Sequence, residues 1–227
     1  MVLSEQDFKM LEFSQKYDRN HAKAYSLKHQ DGFFRRLSNA RDMALAKKAL
    51  AAAGKPKSIL DMPCGTGRFW SLLSSVQADQ LIGADLSESM LDLAKQRRDV
   101  GNFALINSSA FDIPLPNESV DSIFCMRLIH HLGERSDRLK LLEEFNRVCR
   151  ETVCVSLWID GNLQSYRRKR LEQRRKRQRK KRPYQNRNLL TALEFETECQ
   201  KSGFRVIASY DMLPRISMWR VYVLGKY

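Results

Sequence analysis

The chain has 227 residues and a formal net charge of +14, with 43% hydrophobic residues, 29% charged residues and five cysteines. That length fits one domain that buries its core without staples, and no run approaches the 18 apolar residues of a membrane span. Cys64, Cys125, Cys149, Cys154 and Cys199 are odd in number, widely spaced and without a C-x-x-C pair, so they read as reduced thiols and exclude a disulfide framework or a zinc site.

In chain order, Met1 to Asp7 lack a basic leader followed by an apolar core, which predicts a cytoplasmic chain. Ser4-Glu5-Gln6-Asp7 has the form of a capping box ahead of Phe8, Leu11 and Phe13. Tyr17, His21, Tyr25 and His29 recur at a spacing of four and share one face if the segment is helical. Residues 33–53 read as a helix that Gly54-Lys55-Pro56 stops, so residues 1–56 are expected to form a helical cover or lid. Strands and helices then alternate: strand 58–61, helix 67–76, strand 80–84, helix 87–98, strands 103–107 and 120–126, helix 136–149, strand 152–158. Such alternation predicts a parallel α/β sheet covered by helices. A helix at 189–202 precedes strands 204–210 and 219–224, whose short connection requires antiparallel pairing.

Within this frame Ile59-Leu60-Asp61-Met62-Pro63-Cys64-Gly65-Thr66-Gly67-Arg68 sets a short apolar strand against a glycine-containing turn and then a helix. The glycines allow close backbone approach to a ligand, and the helix start offers free N–H groups. The second strand ends in Asp85, where a carboxylate accepts hydrogen bonds from ribose hydroxyls. The loop is too compact for G-x-G-x-x-G, and no Gly-Lys-Ser/Thr follows, which disfavours pyrophosphate and triphosphate ligands. Taken singly, Asp61, Asp85 and Asp112 also read as a helix cap or turn residues.

Four ordered blocks resemble the class I S-adenosylmethionine-dependent methyltransferases of the type 11 group: Ile59–Arg68, Gly83–Leu91, Ser109–Pro114 and Val120–Leu132. The resemblance implies a Rossmann-like seven-stranded, mostly parallel sheet with a reversed last strand and helices on both faces. It implies that Asp61, Cys64 and Gly65 border the methionine part of S-adenosylmethionine, that Asp85 binds the ribose, and that Ala110 and Phe111 flank the adenine. Gly67, Arg68, Leu86 and Arg127 complete the expected set, with S-adenosylhomocysteine as product. Met62-Pro63 stands where the family usually has glycine and removes one N–H donor. Ser109 stands where the family often has an acid, so Asp112 or backbone groups are expected to replace it. The resemblance further implies a lid that touches the cofactor through Tyr17 or Tyr25 and meets its carboxylate through Arg35, Arg36 or Arg41.

Methyl transfer from a sulfonium needs alignment above all, and a base only if the acceptor must lose a proton. His130, His131 and Tyr25 are the candidates for that role or for acceptor positioning; the histidines follow the fourth strand at the ligand-binding edge, where packing is the competing reading. No metal is expected.

Charge is concentrated in one place. Arg167 to Arg182 holds twelve Lys or Arg against Glu172, so this run carries +11 of the +14. It falls within an insertion at about 161–188, expected as a loop or an exposed helix up to about 24 Å long. Its expected partner is an anionic membrane surface, an acidic protein or RNA. The leading expectation is a methyltransferase for a small-molecule or anionic lipid-type acceptor, cytoplasmic or peripheral at the inner membrane surface. The alternatives are a methyltransferase docked on RNA or an acidic protein, and an inactive binding module built on the same fold.

Overall fold

The computed structural model describes residues 33–97, 101, 103–177 and 188–227, the side chains of 33–35 and 175–177 excepted. Tyr17, His21, Tyr25 and His29 lie outside the described residues, and so does the 1–32 part of the expected cover. Helix α1 (Phe33–Ala52) leads to β1 (Ser58–Asp61), α2 (Trp70–Ser74), β2 (Gln80–Asp85), α3 (Glu88–Lys95), β3 (Ala104–Asn107) and β4 (Val120–Cys125). A 3₁₀ turn (Ile129–His131), α4 (Arg135–Val148), β5 (Cys149–Trp158), α5 (Leu163–Arg177), α6 (Ala192–Lys201), β6 (Phe204–Asp211) and β7 (Trp219–Lys226) follow. The sheet order is β3-β2-β1-β4-β5-β7-β6, and β7 runs antiparallel to both neighbours while the β1 to β5 pairs are parallel. The expected seven-stranded sheet with a reversed last strand is therefore present.

Alternation along the strands feeds two cores, because successive side chains point to opposite faces. Ile59, Phe124, Cys154 and Val223 pack with Leu45, Ala46, Ala49 and Leu50 of α1, with Trp70 and Leu73 of α2, and with Leu91 and Ala94 of α3. Their neighbours Leu60, Ile123, Val153 and Leu224 pack with Leu141, Leu142 and Phe145 of α4 and with Phe195 and Cys199 of α6. Each large apolar side chain fully buried in this way contributes about 1.5–3 kcal/mol. The second layer also holds a buried ion pair: Arg138 Nη2 and Nε donate to the two Glu198 carboxylate oxygens at 2.7 and 2.8 Å, joining α4 to α6.

Several boundaries differ from the sequence reading. Helix α2 starts at Trp70 rather than 67, because Gly65 and Gly67 take φ of +55° and +71° and hold the chain in a turn. Strand β5 begins at Cys149, paired with Val120, directly after α4; the exposed Arg150 and Glu151 hid that start from an apolar pattern. Helix α6 starts at Ala192 because Thr191 and Glu194 form a reciprocal capping box. All five cysteines are buried and unbridged, and burial pushes the Cys149 and Cys154 thiols up to about 12.

Candidate active site

The strand order reverses between β1 and β4, and ligands in such sheets bind at that crevice beyond the carboxyl ends of the strands. A cavity of about 230 Å³ lies there, lined by the loop Met62 to Gly65, Thr66, Arg68, Asp85 to Ser87, Ser108, Ala110, Met126 to Leu128, His130, His131 and Trp219.

One wall is a glycine turn held by two buried acids. Asp85 accepts hydrogen bonds from the Gly65 and Ser87 N–H groups, one on each carboxylate oxygen, both at 2.8 Å. An ionised carboxylate has about four acceptor positions, so capacity remains for a ligand hydroxyl. Burial raises the pKa of Asp85, and the two N–H donors oppose that rise. Ser108 adjoins it: its N–H donates to the Asp85 carbonyl at 3.2 Å, and its buried hydroxyl has no hydrogen bond among the described residues. Asp61 stands behind the loop, 2% exposed, and accepts from Trp70 Nε1 at 3.0 Å. Burial raises its pKa well above the carboxylate range, the Trp70 hydrogen bond opposes the rise, and the Asp85 charge adds to it.

Trp70 explains both neighbouring glycines. A Cβ at Gly67 would stand 2.6 Å from the indole, and one at Gly83 would stand 2.7 Å from it. The ring also stacks on Phe103, with centroids 4.1 Å apart. The indole thus fills the space under the loop and fixes its height relative to β2.

The opposite wall is aromatic and cationic. His130, 4% exposed, stacks on Trp158 at 5.0 Å and meets Trp219 edge-on at 4.9 Å, with His131 at 4.0 Å. Trp158 and Trp219 face each other because β5 and β7 pair in register at those residues. The Arg127 guanidinium lies over Trp219 at 4.9 Å, and its backbone, at φ +67°, is held by an N–H bond to Ser156 Oγ at 2.8 Å. Arg127 and Arg68 both pair with Asp42 of α1, and Arg68 also donates to Asn39 Oδ1 at 2.6 Å.

Of the expected residues, Cys64, Gly65, Arg68, Asp85, Leu86, Ala110, Arg127, His130 and His131 line the cavity together. Asp61 and Gly67 stand behind it in support of Trp70. Phe111 packs against the second core, and Asp112 is exposed, with its charge acting on Arg147. The thiol of Cys64 is pushed far up by burial first and by the Asp61 and Asp85 charges second. Asn39, Asp42, Ser108 and Trp219 were not anticipated. Ser108 lies one position before the Ser109–Pro114 block, whereas Trp219 is brought in only by strand pairing.

The family model for a methyltransferase domain matches residues 59–152, the stretch that supplies all of this cavity except Trp219. Over that stretch the chain is similar to methyltransferase domains. Among curated relatives, it is 31% identical over 109 residues to a demethylmenaquinone methyltransferase of Geobacillus kaustophilus, covering 44% of this chain and 45% of that protein. It is 29% identical over 102 residues to a tRNA (carboxymethyluridine(34)-5-O)-methyltransferase of Arabidopsis thaliana, covering 44% and 24%. The matched stretch thus spans less than half the length of these relatives. Magnesium protoporphyrin IX methyltransferase from Synechocystis, crystallised with S-adenosylhomocysteine, superposes with a TM-score of 0.75 at 12% identity, over 96% of this chain and 100% of that one. That last likeness is one of fold.

Proposed function

We propose that the protein is an S-adenosylmethionine-dependent methyltransferase acting on a small-molecule or anionic lipid-type acceptor. The observation that carries this reading is the meeting of Asp85, Gly65 and the unpartnered Ser108 hydroxyl in one cavity at the strand-order reversal. The residues fit the cofactor: Asp85 accepts from the ribose hydroxyls, Ser108 offers a donor and acceptor beside it, Ala110 leaves room for a flat base, and Arg127 with Arg68 receives a carboxylate. The bound cofactor supplies an activated sulfonium methyl, so the protein's task is alignment and exclusion of water. His130 and Trp219 form an aromatic wall against which an acceptor is held, and Arg127 favours one that carries negative charge. His130 or His131 takes up a proton when the acceptor must release one.

Similarity to the Arabidopsis tRNA enzyme, together with the +11 run, supports a second reading in which the acceptor is RNA. Transfer of a radiolabelled methyl group into fractionated cell extract separates the two, with Asp85→Ala as the control. Label in lipid or small-molecule pools, absent with the variant, is expected; label in RNA would install the second reading. No incorporation into any pool, together with no binding of S-adenosylhomocysteine, would overturn both.

A further inference from the structure

Helix α5 presents two unlike faces. Inward, Ser165 is buried, Arg168 lies over the Trp158 ring at 4.6 Å, and Glu172 pairs with Arg168 at 2.9 Å. Outward, Leu163, Arg167, Arg170, Leu171 and Arg174 recur at spacings of three and four and so share one face. Leu163 is 43% exposed, Leu171 47% and the adjacent Tyr166 63%. Ile216, 48% exposed, joins the same patch, because Leu163 and Gln164 donate their N–H groups to the Arg215 and Ile216 carbonyls at 3.0 Å. Arg167, Arg170 and Arg174 make no ion pair among the described residues.

Exposed aliphatic side chains set among unpaired guanidiniums are a combination that solubility does not call for. We propose that this face of α5, with Ile216, docks the protein on an anionic lipid surface. A bilayer interface takes both parts of the patch: the aliphatic side chains enter the boundary between headgroups and acyl chains, and the guanidiniums meet lipid phosphates. A nucleic acid would satisfy the arginines but leave Leu163, Leu171 and Ile216 in water, and among the described residues Tyr166 is the one aromatic side chain on this face for a base to stack on. The placement also suits access to the cavity. Trp158, under Arg168, stacks on His130 of the cavity wall, and Trp219 begins the strand just after Ile216. The docking face and the cavity therefore lie on the same edge of the sheet.

Co-sedimentation with phosphatidylcholine vesicles, with and without phosphatidylglycerol, tests this directly and requires no methyl transfer. Binding is expected only to vesicles that contain phosphatidylglycerol. Each basic residue at such a surface contributes about fivefold in partitioning, so a triple Arg167→Gln, Arg170→Gln, Arg174→Gln variant loses on the order of a hundredfold. A triple Leu163→Ser, Leu171→Ser, Ile216→Ser variant loses on the order of tenfold. All six positions are exposed, so unchanged thermal melting is expected and serves as the folding control. The proposal is overturned if the wild-type protein does not bind the anionic vesicles, if the aliphatic variant binds them as well as wild type, or if polyuridylate is bound more tightly than vesicles.

Discussion

The two walls of the cavity are built by opposite strategies. The wall from Asp61 to Asp85 is local: twenty-five residues of strand, turn, helix and strand, in which buried carboxylates hold backbone N–H groups and an indole fills the space that two glycines leave. The wall of His130, Trp158 and Trp219 is assembled from three distant stretches of chain by the pairing of β5 with the reversed β7. The first wall tolerates little change of shape, because Gly67 and Gly83 both face Trp70. The second is a set of flat surfaces and cations whose outer members are partly exposed. On the proposed function, that difference separates a fixed cofactor wall from a variable acceptor wall.

The comparison is broken most severely at Trp70. Trp70→Ala is expected to cost about 3–5 kcal/mol by leaving a cavity under the loop and Asp61 without its donor, measured as a shift in the denaturant midpoint. Gly67→Ala follows at about 3 kcal/mol, combining overpacking against the indole with a left-handed backbone. If Gly67→Ala melts like wild type, the indole does not sit where the loop requires it. On the acceptor wall, Trp219→Ala is expected to cost less, about 2 kcal/mol, since Trp219 is partly exposed. It should leave the dissociation constant for S-adenosylhomocysteine within about threefold of wild type while lowering methyl transfer. Loss of cofactor affinity there would erase the distinction between the walls.

A pH titration sharpens the comparison further. Both Asp61 and Asp85 have raised folded pKa values, so between the unfolded and folded values the folded state binds more protons than the unfolded one. Stability contributed by their protonation is present at low pH and is lost as pH rises through the folded pKa values. Cofactor affinity should run the other way: ribose hydroxyls donate to ionised Asp85, so binding strengthens as pH rises from the ordinary carboxylate range through the raised pKa. Asp85→Asn should flatten that limb, which calorimetry of S-adenosylhomocysteine binding across pH checks.

What the sequence made legible follows the same division. The first wall is contiguous, so its strand, turn glycines and two acids could be read in order, and β1 was bounded correctly at 58–61. The role of Gly67 could not be read, because a glycine that admits a ligand and one that admits a tryptophan look alike until the ring is placed. Asp42 sits in an ordinary amphipathic helix, and only the packing of α1 on the sheet brings it to Arg68 and Arg127. Trp158 and Trp219 are sixty-one positions apart, and strand pairing alone makes them neighbours. The basic run was evident from composition, but the two faces of α5 depend on which side meets Trp158.

The most direct test of the central claim is calorimetric titration of S-adenosylhomocysteine into wild-type and Asp85→Ala protein. Two hydrogen bonds to a buried carboxylate are at stake, so the variant should bind on the order of a hundredfold more weakly; its melting transition should stay cooperative but fall, because the Gly65 and Ser87 N–H groups lose their acceptor. Equal affinity in the two proteins, or no binding to wild type at high micromolar ligand, would contradict the assignment of this cavity as the cofactor site.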